Sequence, residues 1–359
     1  MNAKSLTDGR VDLLEFTLPN LEKWFVEELD EPRYRAEQVW RWIQRDLARD
    51  FGSMTNVSKK LRQKLVEKAA IVWPDVEKIQ KSADGSVKFL LKLGDGARIE
   101  TVLLPAENRA GDTRWSQCLS TQAGCPMRCA FCATGQAGFK RNLTMGEILG
   151  QVLIGRDYLD DRRMDWPILR NLVFMGMGEP LLNLDALIPA LESLSSEKGM
   201  NFSPRRITVS TCGIRDGLEK LGESGLAYLA VSLHAPTQEL RKKIMPFAAS
   251  WPLGEMMDAL ASYPLKTRER ITYEYLLLGG VNDSLENARE LVRLLSRTKA
   301  KVNLIIYNPV PGLPFKRPSD ESVAAFQKYL YDKNVMCIVR KSRGADIAAA
   351  CGQLAGDMA

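Results

Sequence analysis

The run Gly124-Cys125-Pro126-Met127-Arg128-Cys129-Ala130-Phe131-Cys132 decides how this chain is read. Its cysteines are spaced C-x3-C-x2-C, which brings three thiolates to one centre. Three is one ligand short of closing a tetrahedral or cuboidal metal site. A four-iron, four-sulfur cluster held this way keeps one iron free for a small ligand. Phe131, just before the last Cys, and Gly135, just after it, fit a tight and partly apolar cluster loop. A structural zinc ion is the other reading, with Cys118 or His234 as fourth ligand. Zinc sites more usually pair their ligands in two C-x2-C knuckles, and this stretch has one. The spacing therefore favours iron and sulfur.

Downstream of this run, apolar strand-like segments alternate with helical ones. Strands are expected at 118–121, 171–175, 207–210, 227–233, 272–278, 302–307 and 336–339. Thr144-Met145-Gly146-Glu147 is a capping-box pattern that opens a helix. Asp283 or Ser284 can cap another over 286–296. Repeated βα units imply a parallel sheet. About six units are too few for a closed eight-fold barrel, so an open, partial (β/α)6 barrel is expected. In barrels, chemistry sits where strands end and βα loops begin. The cysteine run follows the first expected strand, as that rule requires.

Upstream, residues 10–70 read as three short amphipathic helices. Leu18, Leu21 and Phe25 share one face, with Asn20 as a possible N-cap. Arg33, Arg35, Arg41, Arg45, Lys59, Lys60, Arg62 and Lys64 make this part basic, which suits RNA contact. Residues 86–105 alternate around Gly94-Asp95-Gly96 and read as a β-hairpin. The expected organisation is a helical accessory domain (1–80), a β-hairpin connector (81–110), the α/β barrel (111–343) and a C-terminal tail (344–359).

Composition bounds the rest. The chain has 359 residues, a net charge of +6 and apolar and charged fractions of 45% and 26%. These are the proportions of a globular protein. No apolar run approaches the roughly 20 residues of a membrane helix. Met1-Asn2-Ala3-Lys4-Ser5 lacks the apolar core of a signal peptide. A cytoplasmic location follows as an expectation, with reduced thiols or cluster ligands in place of disulfides. The single histidine, His234, leaves most conventional acid–base schemes without a base.

Other candidate site residues stand at strand ends. Gly176-Met177-Gly178-Glu179-Pro180 follows a strong strand; its glycines permit close approach to a ligand, and Glu179 can take up an ammonium group. Ser210, then Ser232-Leu233-His234, end the next two strands, and Asn308 ends a later one. Cys118 precedes the cysteine run, and Cys351 lies in Ala350-Cys351-Gly352-Gln353-Leu354 near the C-terminus. By themselves these two cysteines read as incidental, and Glu100 reads as a carboxylate in a strand.

The cysteine run resembles the radical-SAM superfamily signature, in which the amine and carboxylate of S-adenosylmethionine (SAM) chelate the free iron. Further segments resemble the RlmN/Cfr group of radical-SAM RNA methyltransferases. They are 124–138, Asn142-Leu143-Thr144, 176–183, Ser232-Leu233-His234-Ala235, 280–284, Tyr307-Asn308-Pro309 and 350–354. Pro180-Leu181-Leu182-Asn183 is more like the RlmN branch. The resemblance implies one 4Fe–4S cluster on Cys125, Cys129 and Cys132. It implies SAM contacts from Gly178, Glu179, Ser210, Ser232, Leu233, His234 and Asn308, with two SAM consumed per turnover. It implies methylation of adenine carbon 2 in 23S rRNA and in tRNA. Cys351 would become S-methylcysteine and then join the RNA covalently. Cys118 would resolve that crosslink through a transient disulfide with Cys351, and Glu100 would accept the carbon-2 proton. An electron donor of the flavodoxin or ferredoxin type is expected, and a monomer suffices. The alternatives are Cfr-like methylation of carbon 8, a radical-SAM enzyme of small molecules, and a zinc-stabilised RNA-binding protein.

Overall fold

The computed structural model describes residues 6–107, 111–162 and 167–356. The signal-peptide reading rests on residues 1–5, which lie outside these, as do the last three residues of the expected tail.

Three N-terminal helices form as the apolar spacing predicts: α1 (Leu18–Leu29), α2 (Arg33–Gln44) and α3 (Lys59–Lys68). Leu21, Phe25 and Leu29 of α1 are buried, as are Val39, Trp40 and Ile43 of α2 and Leu61 and Leu65 of α3. The expected cap at Asn20 is corrected: α1 begins at Leu18, with Thr17 at its N-cap and Pro19 in its first turn. Proline suits that turn because its φ is already helical and its missing N–H would have had no helical partner. At α3, Ser58 Oγ accepts a hydrogen bond from the Leu61 amide.

The centre of the molecule is one ten-stranded sheet. In chain order its strands are β1 (Asp75–Lys81), β2 (Val87–Lys92), β3 (Arg98–Glu107), β4 (Thr113–Cys118), β5 (Leu169–Phe174), β6 (Ile207–Thr211), β7 (Tyr228–Ser232), β8 (Ile271–Leu277), β9 (Ala300–Ile306) and β10 (Cys337–Arg340). Each pairs with the next in sequence, and β1 and β10 are the two open edges. β1 to β4 run antiparallel; β4 to β10 run parallel. Six helical crossovers join the parallel strands, so the partial (β/α)6 architecture stands. The hairpin of β2 and β3 continues the barrel sheet directly through the β3–β4 pairing.

Two expectations are revised. The first parallel strand ends at Cys118 instead of starting there. Residues 119–122 leave the ladder to bind the 176–178 turn: the Thr121 and Gln122 amides both donate to Met177 O, at 2.9 and 3.2 Å. Strand β1 was not anticipated. Its sequence is mostly polar, and a register shift between Val76 and Lys78 breaks the alternation that marks a strand.

Register aligns the strand ends. Cys118 lies opposite Val173, Ser210 opposite Ala230, Ser232 opposite Glu274 and Ile305 opposite Arg340. The C-terminal ends of the parallel strands therefore share one rim. The tail folds back onto that rim, where the Ala133 amide donates to Gly352 O (2.8 Å) and Thr134 Oγ1 to Leu354 O (2.6 Å).

Candidate active site

The cysteine loop is held by backbone bonds and packed in an apolar shell. The Cys125 amide donates to Gly138 O (2.8 Å), the Cys132 amide to Cys129 O (3.1 Å) and the Ala130 amide to Ile244 O (2.9 Å). Gly124 has φ of +77°, and a Cβ there would fall 1.9 Å from Gly138 O, so the loop's first turn needs glycine. Met127, Phe131, Ile244, Met245, Leu276 and Tyr307 surround the three thiols. Burial is the main reason Cys125 is pushed up to about 12 and Cys129 well above an ordinary thiol; the neighbouring cysteines add to both. Such thiols become ligands when a cationic centre offsets the burial.

The donor set fits an iron–sulfur cluster better than zinc. Among the described residues no group of three or more His, Cys, Asp or Glu side chains is set as a metal site; what separates the two readings is the fourth ligand. His234 is unsuited to zinc. Its Nδ1 accepts a hydrogen bond from the Leu276 amide (3.0 Å), which leaves the proton on Nε2 and no free lone pair. Burial, with the nearby Arg241, lowers His234 to about 3. It is a neutral ring, set edge-on to Phe131 with centroids 5.1 Å apart.

The same cavity gathers Cys118, Gly178, Glu179, Ser210, Ser232, Glu274, Arg340 and Cys351 beside the cysteine loop. The space between its walls, open mouth included, is about 1190 Å³. Gly178 has φ of +103°, and a Cβ there would strike Gln122 at 2.6 Å. The turn so formed presents Glu179, whose buried carboxylate accepts from the Leu181 amide (3.1 Å) and the Cys212 amide (2.8 Å). Burial raises its pKa despite these bonds. An ammonium group would supply the charge that the carboxylate lacks. Ser210 Oγ and Ser232 Oγ stand 3.3 Å apart on adjacent strands.

Leu233 and Asn308 are placed differently: neither is among the cavity's wall residues. The Leu233 amide donates to Glu274 O, its carbonyl accepts from Arg241, and its side chain is fully buried. Asn308 Nδ2 donates to Ser342 Oγ at 3.0 Å.

Cys118 and Cys351 come together across 233 positions of sequence (351 − 118). Burial pushes Cys118 up to about 12, and its proximity to Cys351 contributes. Cys351 lines the cavity with its surface accessible, and desolvation by the surrounding groups raises it too. Arg340 stabilises the charged forms of both thiols. Glu100 is not a wall residue. It is fully buried, its Oε1 lies 2.8 Å from Lys88 Nζ, and its Oε2 accepts from the Ala355 (2.7 Å) and Gly356 (3.2 Å) amides.

Known proteins agree with this geometry. Residues 11–71 match the Ribosomal RNA large subunit methyltransferase N-terminal domain, and residues 119–292 match the Radical SAM superfamily. The chain is 63% identical to the Dual-specificity RNA methyltransferase RlmN of Nitratidesulfovibrio vulgaris (strain DP4), over 96% of this chain and 94% of that one. It is 55% identical to the protein of the same name from Lawsonia intracellularis, over 96% of each. The crystal structure of a radical SAM methyltransferase from Sphaerobacter thermophilus superposes with a TM-score of 0.89 at 41% identity, covering 96% of this chain and 99% of that one. The chain belongs to the RlmN family of radical-SAM RNA methyltransferases.

In this RlmN-family chain, Glu274 and Arg340 on the cavity wall and Arg241 behind it are placements that sequence reasoning missed. Glu274 lines the cavity, with Oε1 accepting from Asn303 Nδ2 (2.9 Å) and Oε2 buried without a hydrogen-bond partner. Its signal was a lone carboxylate between Tyr273 and Tyr275 in an apolar strand. Arg340 stands next to Lys341, which in sequence gives it the look of a surface basic pair. Arg241, followed by Lys242 and Lys243, has the look of surface charge but is fully buried; its guanidinium donates to Leu233 O at 2.7 Å and to Cys212 O at 2.5 Å. It braces the two strand ends that carry His234 and the Glu179 contact. Arg141 is likewise committed, to Asp95 and Glu147.

Proposed function

We propose that this chain methylates carbon 2 of adenine in 23S rRNA and in tRNA, with Cys351 as the methyl carrier and Cys118 as the resolving thiol. The observation that carries the reading is that two free cysteines, far apart in sequence, line one cavity with the three-cysteine loop and Glu179. The RlmN names of the relatives and the Pro180-Leu181-Leu182-Asn183 run favour carbon 2 over carbon 8.

Carbon 2 of adenine is an electron-poor sp² carbon, so direct displacement on SAM cannot methylate it. Cys125, Cys129 and Cys132 would hold a 4Fe–4S cluster, which when bound supplies the electron that cleaves SAM reductively. Glu179 would hold the SAM ammonium, and Ser210 and Ser232 its polar groups, beside Gly178 and the neutral His234. Cys351, as thiolate, takes a methyl group from a first SAM; Arg340 supports that thiolate. After the second SAM has removed one hydrogen atom, the Cys351 methyl carbon bonds to carbon 2. Glu100 accepts the carbon-2 proton, and Cys118 attacks the Cys351 sulfur. The S–S bond forms as the carbon–sulfur bond breaks; the freed carbon takes up a proton to become the methyl group, the unpaired electron left by hydrogen abstraction would return to the cluster, and the methylated base is released. Because Glu100 is bonded to the tail in this conformation, its part requires residues 355 and 356 to move.

RNA contact fits the exposed Arg33, Arg41, Lys59 and Lys60 of the three-helix unit; the expected boundary at residue 80 moves back, because Asp75–Lys81 belongs to the central sheet. The connector 81–110 and the tail 344–359 then serve the barrel 111–343. Among the described residues no helix is long and apolar enough to cross a membrane. A cytoplasmic monomer served by a flavodoxin or ferredoxin completes the reading.

The test is mass spectrometry of nucleosides from an anaerobic reaction of reconstituted protein, SAM, a reductant and unmodified rRNA or tRNA. 2-Methyladenosine is expected. 8-Methyladenosine, or no methylated adenosine with an intact cluster, would overturn the assignment.

A further inference from the structure

We propose that Lys88 is a positioning residue, which forms with Glu100 a buried clamp that docks the C-terminal tail and holds Cys351 at the cavity. The proposal builds on the reading of Cys351 as methyl acceptor.

Lys88 is a lysine where a lysine is least expected. It stands in β2 among Val87, Phe89 and Leu91 and is only 3% exposed. Register sets Lys88 opposite Val102 and Leu90 opposite Glu100, so Lys88 and Glu100 project from the same face of the hairpin. Lys88 Nζ meets Glu100 Oε1 at 2.8 Å and also donates to Ala348 O at 3.2 Å. Glu100 Oε2 accepts from the Ala355 and Gly356 amides at 2.7 and 3.2 Å. One ion pair therefore grips the tail on both sides of Cys351, three residues before it and four after.

The other anchors differ in kind. Asp346 accepts from Ser82 Oγ and the Ala83 amide on an exposed turn, where water competes. Between the two grips, Gly352 and Leu354 bond the cysteine loop. Gly356 has φ of +62°, and a Cβ there would lie 2.9 Å from Arg98 O, so the chain fits closely where Glu100 holds it. A buried ion pair that loses one member leaves the other charge uncompensated. Without Lys88, Glu100 has no counter-charge and Ala348 O loses its donor. A docked tail and an occupied Glu100 are thus one state; a released tail and a free Glu100 are the other.

The experiment compares reconstituted wild type, Lys88→Met and Lys88→Arg. Hydrogen–deuterium exchange follows residues 344–356, and intact mass follows the methyl group on Cys351 after incubation with SAM and reductant. In Lys88→Met, tail exchange is expected to quicken about tenfold or more, while the 145–158 helix, the cluster absorbance and SAM affinity stay as in wild type. Methyl-Cys351 falls by about the same factor, and Lys88→Arg restores both readouts. Unchanged tail exchange overturns the clamp. A loosened tail with full Cys351 methylation overturns the positioning role. Should Lys88→Met fail to fold, Lys88→Met/Glu100→Gln removes the stranded charge, and faster tail exchange is expected there too; wild-type exchange would refute the clamp. A wild type that never carries methyl on Cys351 would refute the acceptor reading, and the exchange result would still decide the clamp.

Discussion

The N-terminal helical unit and the cavity at the sheet rim treat polar groups in opposite ways. In the helical unit, charge is spent within the fold: Lys64 Nζ donates to Leu29 O (2.7 Å) and pairs with Glu31 (2.9 Å), and Lys68 Nζ donates to Glu28 O (2.6 Å). Arg62 and Arg45 likewise bind the carbonyls of Gly52 and Gly199. In the cavity, six free thiols and two buried carboxylates share one wall. The first region is organised for stability and the second for ligands. Burial raises pKa values in the cavity, and a bound cationic group would offset that cost.

Glu179→Gln should have the largest effect on this contrast. Its amide keeps the shape and loses the charge that would meet an ammonium group. SAM affinity of the cluster-loaded protein should fall roughly 10–100-fold, the range for a charge-assisted hydrogen bond, as measured by equilibrium dialysis. Unchanged affinity would mean that the buried carboxylate serves the fold alone.

A smaller effect concerns the helical unit, through Asp12. Burial raises Asp12 to about 7, against the lowering effect of the Leu14 and Val72 amides that it accepts from. Its folded pKa lies above its unfolded value of 3.8, so the folded state holds the proton more tightly. The stability it contributes is complete below 3.8 and is lost as pH rises through about 7. Thermal midpoints should therefore drop, by on the order of 5 °C, between pH 5 and pH 8. Asp12→Asn should flatten that slope, and an unaltered slope would contradict the assignment.

The smallest effect concerns the surface. Lys59→Ala/Lys60→Ala should weaken RNA binding a few-fold and reduce its salt dependence by about one to two counterions. Stability should stay within about 0.5 kcal/mol. An unchanged salt slope would remove α3 from the RNA interface.

Much of this was legible before any coordinates. The C-x3-C-x2-C run, the Thr144 capping box and the alternation of strands and helices are local signals, and local geometry obeyed them: Thr144 Oγ1 accepts from the Glu147 amide, and the Glu147 carboxylate returns the bond. Ser284 caps its helix in the same way. What stayed illegible depends on distant chain segments. Glu100 is one carboxylate in a strand until β2 sets Lys88 beside it and the tail arrives. Arg241 looks like surface charge because Lys242 and Lys243 follow it, yet the helical turn points it into the protein. Arg340 and Glu274 acquire meaning only where β8 and β10 end on the same rim.

The account turns on Cys118 and Cys351 acting as a pair. The most direct measurement is mass spectrometry and gel analysis of Cys118→Ala incubated anaerobically with SAM, reductant and unmodified RNA. Accumulation of a covalent protein–RNA adduct at Cys351, without released methyladenosine, is the predicted result. Rapid turnover to free product without Cys118 would contradict it.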